Sequence, residues 1–64
     1  MNIYKHDLSH DGQKLVIQDF TGAVMWLYIG NSDGTSLNKL DAQGGREPHW
    51  SPNSEEIVFI YSNL

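Results

Sequence analysis

The sequence predicts an all-β chain of antiparallel strands, and three observations carry that expectation. Short runs rich in β-branched and aromatic residues alternate with clusters of Gly, Asn, Asp and Ser, the pattern of strands bounded by turns. No window of helical length keeps a 3.6-residue apolar period, because glycine or proline interrupts each candidate. A pattern near the N-terminus also recurs near the C-terminus.

Taken in order, the apolar runs cover residues 14–20, 24–30, 36–40 and 56–62. Asp11-Gly12, Thr21-Gly22, Asp33-Gly34, Gly44-Gly45 and Pro52-Asn53 lie between or beside them. Asp-Gly pairs favour tight hairpins because glycine accepts the positive φ that such turns require.

The recurrence places Leu8-Ser9-His10-Asp11-Gly12-Gln13-Lys14-Leu15-Val16-Ile17 against Trp50-Ser51-Pro52-Asn53-Ser54-Glu55-Glu56-Ile57-Val58-Phe59, at an offset of 51 − 9 = 42 residues. Ser9/Ser51 and Val16/Val58 are identical, Asp11/Asn53 are both turn formers, and Leu8/Trp50, Leu15/Ile57 and Ile17/Phe59 are apolar. A period of about 40–45 residues with four strands per unit is the signature of β-propeller blades. The residues Glu47-Pro48-His49-Trp50-Ser51-Pro52-Asn53-Ser54, then Leu27-Tyr28-Ile29 and Asp33-Gly34, are similar to the TolB-like propeller repeat. Two positions depart from that pattern: His10 replaces a proline, and Asn53-Ser54 replaces Asp-Gly. Asn53 tolerates the left-handed conformation, so the second departure is expected to cost little.

Alignment to the repeat gives a four-stranded antiparallel blade over residues 3–40, with strands at 3–9, 14–20, 24–30 and 36–40. The first two strands of a second blade follow within 46–62, at 47–51 and 56–62. Ser9, Asp11, Gly12, Asp33, Gly34, Pro48, Trp50, Ser51 and Pro52 are the residues expected to build the repeat. A blade and a half buries its faces only against neighbours, and repeat arrays generally need at least three units. The chain is therefore expected to be completed by further blades, in a longer chain or in a homo-oligomer.

Sixty-four residues without cysteine form one small domain at most, with no disulfide to support it. The net charge is −4, and Lys5, Lys14, Lys39 and Arg46 are scattered, which argues against nucleic acid and against an anionic membrane surface. No apolar stretch approaches the roughly 20 residues of a membrane span, so no membrane insertion is expected. Residues 1–11 show no apolar segment of the kind a signal peptide carries. No compartment follows from composition. The TolB-like resemblance implies a cell-envelope or periplasmic setting and a protein partner.

Ser9-His10-Asp11 holds the residue types of a hydrolytic triad, but consecutive residues at a strand-to-turn junction diverge and are better read as turn formers. His6, Asp7, His10, Asp11 and His49 could ligate a metal. Residues four apart on a strand lie about 13 Å apart, too far for one ion without a bend, so no metal and no cofactor are expected. Asn31-Ser32-Asp33-Gly34 lacks the further acidic positions of a calcium loop. Trp50 is expected in the core. Trp26, Tyr28 and Tyr61 are the candidate interface residues, Trp26 foremost because the resemblance implies a polar residue at its slot. The reading is a non-catalytic protein-binding and scaffolding module. Its alternatives are a propeller piece of a larger enzyme (prolyl-oligopeptidase-like, tricorn-like or oligogalacturonate-lyase-like, as the resemblance allows) and a self-assembling ring or filament subunit.

Overall fold

The structure, a computed structural model, describes residues 2–40 and 43–61. Among these residues every regular element is a strand: β1 (Ile3–Leu8), β2 (Lys14–Thr21), β3 (Val24–Asn31), β4 (Asn38–Lys39), β5 (Gly45–Trp50) and β6 (Ile57–Tyr61). β1 to β4 form one antiparallel sheet in sequential order, and β5 and β6 form a second, two-stranded sheet. The all-β expectation and the division into four strands and two therefore hold.

The β2–β3 hairpin is the longest ladder, running from Lys14↔Asn31 to Thr21↔Val24. Its two-residue turn, Gly22-Ala23, has φ of 64° and 67°. Positive φ at both central residues gives the turn whose twist matches that of the flanking strands. Glycine adopts it freely, whereas the Cβ of Ala23 does not. Ala23→Gly is expected to stabilise the fold by about 0.5–1 kcal/mol, the strain relieved less the added entropy of unfolding. Urea unfolding checks this as a raised midpoint with unchanged slope.

Two boundaries differ from expectation. The fourth strand, expected over 36–40, is reduced to Asn38–Lys39, paired with Tyr28 and Ile29. Ser36 has a φ of 56°, which breaks the extended run. The preceding loop crosses so close to Gly30 that a Cβ there would stand 2.7 Å from the Thr35 carbonyl oxygen and 2.9 Å from Leu37 Cδ2. β5 starts at Gly45, ahead of the expected 47, because a bulge between Arg46 and His49 keeps the ladder in step as far as Gly45↔Tyr61. Pro48, which has no N–H to give a ladder, sits inside that bulge. The expected end of β6 at Ser62 lies outside the described residues.

The offset of 42 is visible in strand register. Asp7↔Val16 and Leu8↔Leu15 recur as His49↔Val58 and Trp50↔Ile57. Residues paired across a ladder point to the same side, and successive residues alternate. Asp7, Val16, Gln18, Leu27 and Ile29 thus share the face turned toward β5, where Val16 and Leu27 are fully buried and Trp50 is 7% exposed. Leu8, Leu15, Ile17, Trp26 and Tyr28 share the opposite face, with Ile17 buried at its centre. The expectation that Trp50 belongs to the core is met.

Candidate functional site

The region that held the triad-like residues is a turn with a closed set of bonds. The Ser9 hydroxyl donates to Asp11 Oδ1 at 2.6 Å and accepts the Lys14 N–H at 2.9 Å. Asp11 Oδ1 also accepts the Gln13 N–H at 3.0 Å. Main-chain bonds from Ser9 N to Lys14 O and from Gly12 N to Ser9 O complete the turn. His10 is exposed and takes no part. The Ser9 oxygen is thus engaged by the Asp11 carboxylate and the Lys14 N–H, and the three residues do not form the serine–histidine–aspartate relay of a hydrolytic triad.

Each of these bonds recurs 42 residues later. Ser51 Oγ donates to Asn53 Oδ1 and accepts Glu56 N–H at 3.0 Å, and Asn53 Oδ1 accepts Glu55 N–H at 3.1 Å. Ser51 N bonds Glu56 O, and Ser54 N bonds Ser51 O. The left-handed residue is Ser54, with φ 62°, in the place of Gly12 with φ 74°. The expectation that Asn53 would take that conformation is corrected: Asn53 supplies the side-chain acceptor, and its neighbour carries the strain. The Asn31–Thr35 turn is a shorter relative, in which Asp33 Oδ1 accepts both the hydroxyl and the N–H of Thr35 and Gly34 has φ 87°.

These bonds favour ionised aspartates. The Ser9 hydroxyl, then the Gln13 N–H, holds Asp11 below the usual aspartate range, and the Thr35 hydroxyl and N–H do the same for Asp33. A carboxylate depressed on folding contributes stability that is complete above its unfolded pKa and lost as pH falls through the folded one. Acid is therefore expected to loosen the Ser9–Lys14 turn but not the Ser51–Glu56 turn, whose acceptor Asn53 does not titrate. Amide shifts of Gln13 and Glu55 followed from neutral pH to below the usual aspartate range check this contrast. In Asp11→Asn the two turns should behave alike.

The sheets are joined chiefly by polar side chains bonding to main chain. Asp7 Oδ2 accepts the Trp50 N–H at 2.8 Å, and the Asp7 carbonyl accepts the Trp50 indole Nε1–H at 3.1 Å. Gln18 Oε1, fully buried, accepts the N–H of Glu47 at 2.9 Å, which lies in the β5 bulge. The Asp11 N–H donates to Ser54 Oγ at 3.0 Å, one turn bonding the other. A half-exposed ion pair, Lys5–Glu47 at 3.2 Å, lies beside them. Asp7 was weighed in sequence only as a metal ligand, and Gln18 and Ser54 were missed as joining residues. A glutamine in the middle of a central apolar strand was the available signal, since a polar side chain buried there needs a partner.

Among the described residues no three His, Cys, Asp or Glu side chains come together to hold a metal ion. An open groove of about 420 Å3 runs between the sheets, with Ile29, Leu40, Ile57 and Phe59 along it and Lys14 and Glu55 among its lining residues. Trp26 is half-buried and lies under the Lys39 ammonium, 4.3 Å from the ring centre. Tyr28 is half-buried beside Ile17 in the ladder, on the same face as Trp26, and Tyr61 is exposed at the end of β6. The three candidate interface residues are thus split: Trp26 and Tyr28 share the outer face of the four-stranded sheet, while Tyr61 belongs to the second. The residues expected to build the repeat lie at the turns and in β5, with Pro48 and Trp50 buried and Pro52 exposed. Chemically, the arrangement offers apolar surface and aromatic edges for binding.

Comparison with protein-family models, curated proteins and solved structures finds no match to this chain.

Proposed function

We propose that the chain is a β-propeller repeat segment, a non-catalytic protein-binding and scaffolding module that is completed by further blades. The observation that carries this reading is the second unit reproducing the first bond for bond at the turn, at an offset of 42, while its first strand bonds to the four-stranded sheet. Stacked copies of one supersecondary unit are how repeat arrays build a core. The use of Ser9 and Asp11 in turn formation supports a structural role for them over a catalytic one. The unpartnered apolar faces support a role in binding, since exposed patches of this kind mark interaction sites.

The test is a tandem chain in which residues 1–42 are inserted again ahead of the natural sequence. In a repeat array each added interface contributes to stability. The tandem should therefore unfold at a higher urea midpoint and with a steeper transition than the single chain. Two independent domains would instead unfold at the original midpoint, and that result would overturn the reading.

A further inference from the structure

We infer that the chain binds a second copy of itself head to tail, the outer face of the four-stranded sheet in one copy resting on the outer face of the β5–β6 hairpin in the other. The inference rests on the repeat reading above and names the partner and the surfaces. Inside the chain one such joint already exists. On the β1–β2 side it uses Asp7, Val16 and Gln18; on the β5–β6 side Trp50 and the Glu47 main chain make the joint, and Ile57 and Phe59 on the same side line the open groove beside it.

The repeat places a second example of each partner face on the surface. Moving Asp7, Val16 and Gln18 forward by 42 gives His49, Val58 and Ile60, which lie on the hairpin side away from the sheet. Val58 is 66% exposed and Ile60 is 52% exposed. Moving Trp50, Ile57 and Phe59 back by 42 gives Leu8, Leu15 and Ile17, on the outer face of the four-stranded sheet, where Leu8 is 50% exposed and Leu15 half-buried at the open end, while Ile17 is already buried within the sheet. One chain thus contains one mated pair and carries one unmated copy of each mate. The two open faces belong to the same joint. Copies stacked in that geometry would bury both faces by continuing an interface that the fold already forms.

The internal ion pair joins Lys5 to Glu47, which are each other's equivalents at the offset of 42 and are already engaged within each copy, so it adds no separate charge pair between copies. The polar latch does not carry over. His49 stands in place of Asp7, Leu8 in place of Trp50 and Ile60 in place of Gln18. The joint between copies is therefore mainly apolar, and it is heterologous, because two different patches meet.

A heterologous joint makes a prediction that a two-fold dimer does not. Leu8→Glu blocks one face and Val58→Asp blocks the other, each at a solvent-exposed position. Light scattering and sedimentation of the unaltered chain should show a mass that rises with concentration beyond that of a dimer. Each variant alone should associate at least about tenfold more weakly, the loss of one apolar contact at the centre of an interface. An equimolar mixture should recover a dimer and stop there, because one intact face remains on each variant. Circular dichroism confirms that each variant is folded. Should either fail that check, the amide shifts of Leu8 and Val58 in the unaltered chain, which must both move with concentration, decide the matter. A chain that stays monomeric at millimolar concentration overturns the inference, as does a mixture no larger than its components. If the tandem chain is nonetheless stabilised, the repeat reading stands and the open faces take a different occupant.

Discussion

Trp50→Ala is expected to detach the β5–β6 hairpin from the four-stranded sheet and to remove most of the stability of the chain. Trp50 is 7% exposed and lies where the two sheets meet, its indole N–H bonded to the Asp7 carbonyl at 3.1 Å. Truncating a buried tryptophan to alanine typically costs about 3–5 kcal/mol. The lost indole bond belongs to the same change and leaves a main-chain carbonyl without its partner. A chain of this length has roughly 3–10 kcal/mol in total, so the substitution is comparable with the whole. Urea unfolding followed by the far-ultraviolet signal should show a transition collapsed toward zero denaturant. Trp50→Phe keeps most of the apolar area and removes only the indole donor. It should cost about 1–2 kcal/mol. An alanine variant that unfolds at the original midpoint would contradict the placement of Trp50 at the joint.

The second large effect concerns the other half of that latch. Asp7 Oδ2 accepts the main-chain N–H of Trp50 at 2.8 Å, at a residue that is 7% exposed. Asp7→Ala is expected to cost about 1.5–3 kcal/mol, the usual range for a hydrogen bond to a charged group whose partner is left buried. Asp7→Asn keeps an oxygen in place and should lose about 1 kcal/mol, the charge-assisted part of the bond. Hydrogen exchange at the Trp50 amide reads the effect locally. Its protection should fall in the alanine variant, largely persist in the asparagine variant, and leave the centre of the β2–β3 ladder unchanged. Equal loss of protection at Val16 and Trp50 would mean that the joint and the sheet open together.

Strand positions were legible in the sequence to within a residue or two because alternation and turn chemistry act locally. Gly12, Gly22 and Gly34 all take the positive φ that their turn contexts predict. Where the reading failed, a contact distant in sequence decided the outcome. β4 is short because the chain from Thr35 to Leu37 lies against Gly30, which no local pattern announces. Ser54 looked like an unremarkable departure from Asp-Gly. Its positive φ is the one the turn requires at the place of Gly12, and its hydroxyl accepts the N–H of Asp11, 43 residues earlier. Of the three aromatics singled out for binding, Trp26 and Tyr28 share a face, as residues of one strand two apart must. That Lys39 would cover Trp26 depended on where β4 docks. The joining residues Gln18 and Ser54 escaped notice because their partners are main-chain groups, and a sequence does not display those.

The hydroxyl of Ser54 has a consequence for how the units can be ordered. Two units alike in register and in turn geometry could in principle exchange places along the chain. They cannot do so here without loss. The trailing unit carries the tryptophan and the serine, and the leading unit carries the aspartate, the glutamine and the turn N–H that receive them. A permuted chain, with the second unit placed first, would set Gly12 in the place of Ser54 and Leu8 in the place of Trp50, and would keep apolar contact at the joint without the polar latch. Similar shapes with unlike edges give the latch a direction: its polar bonds close in one order of the units, and the reverse order is left with apolar contact alone.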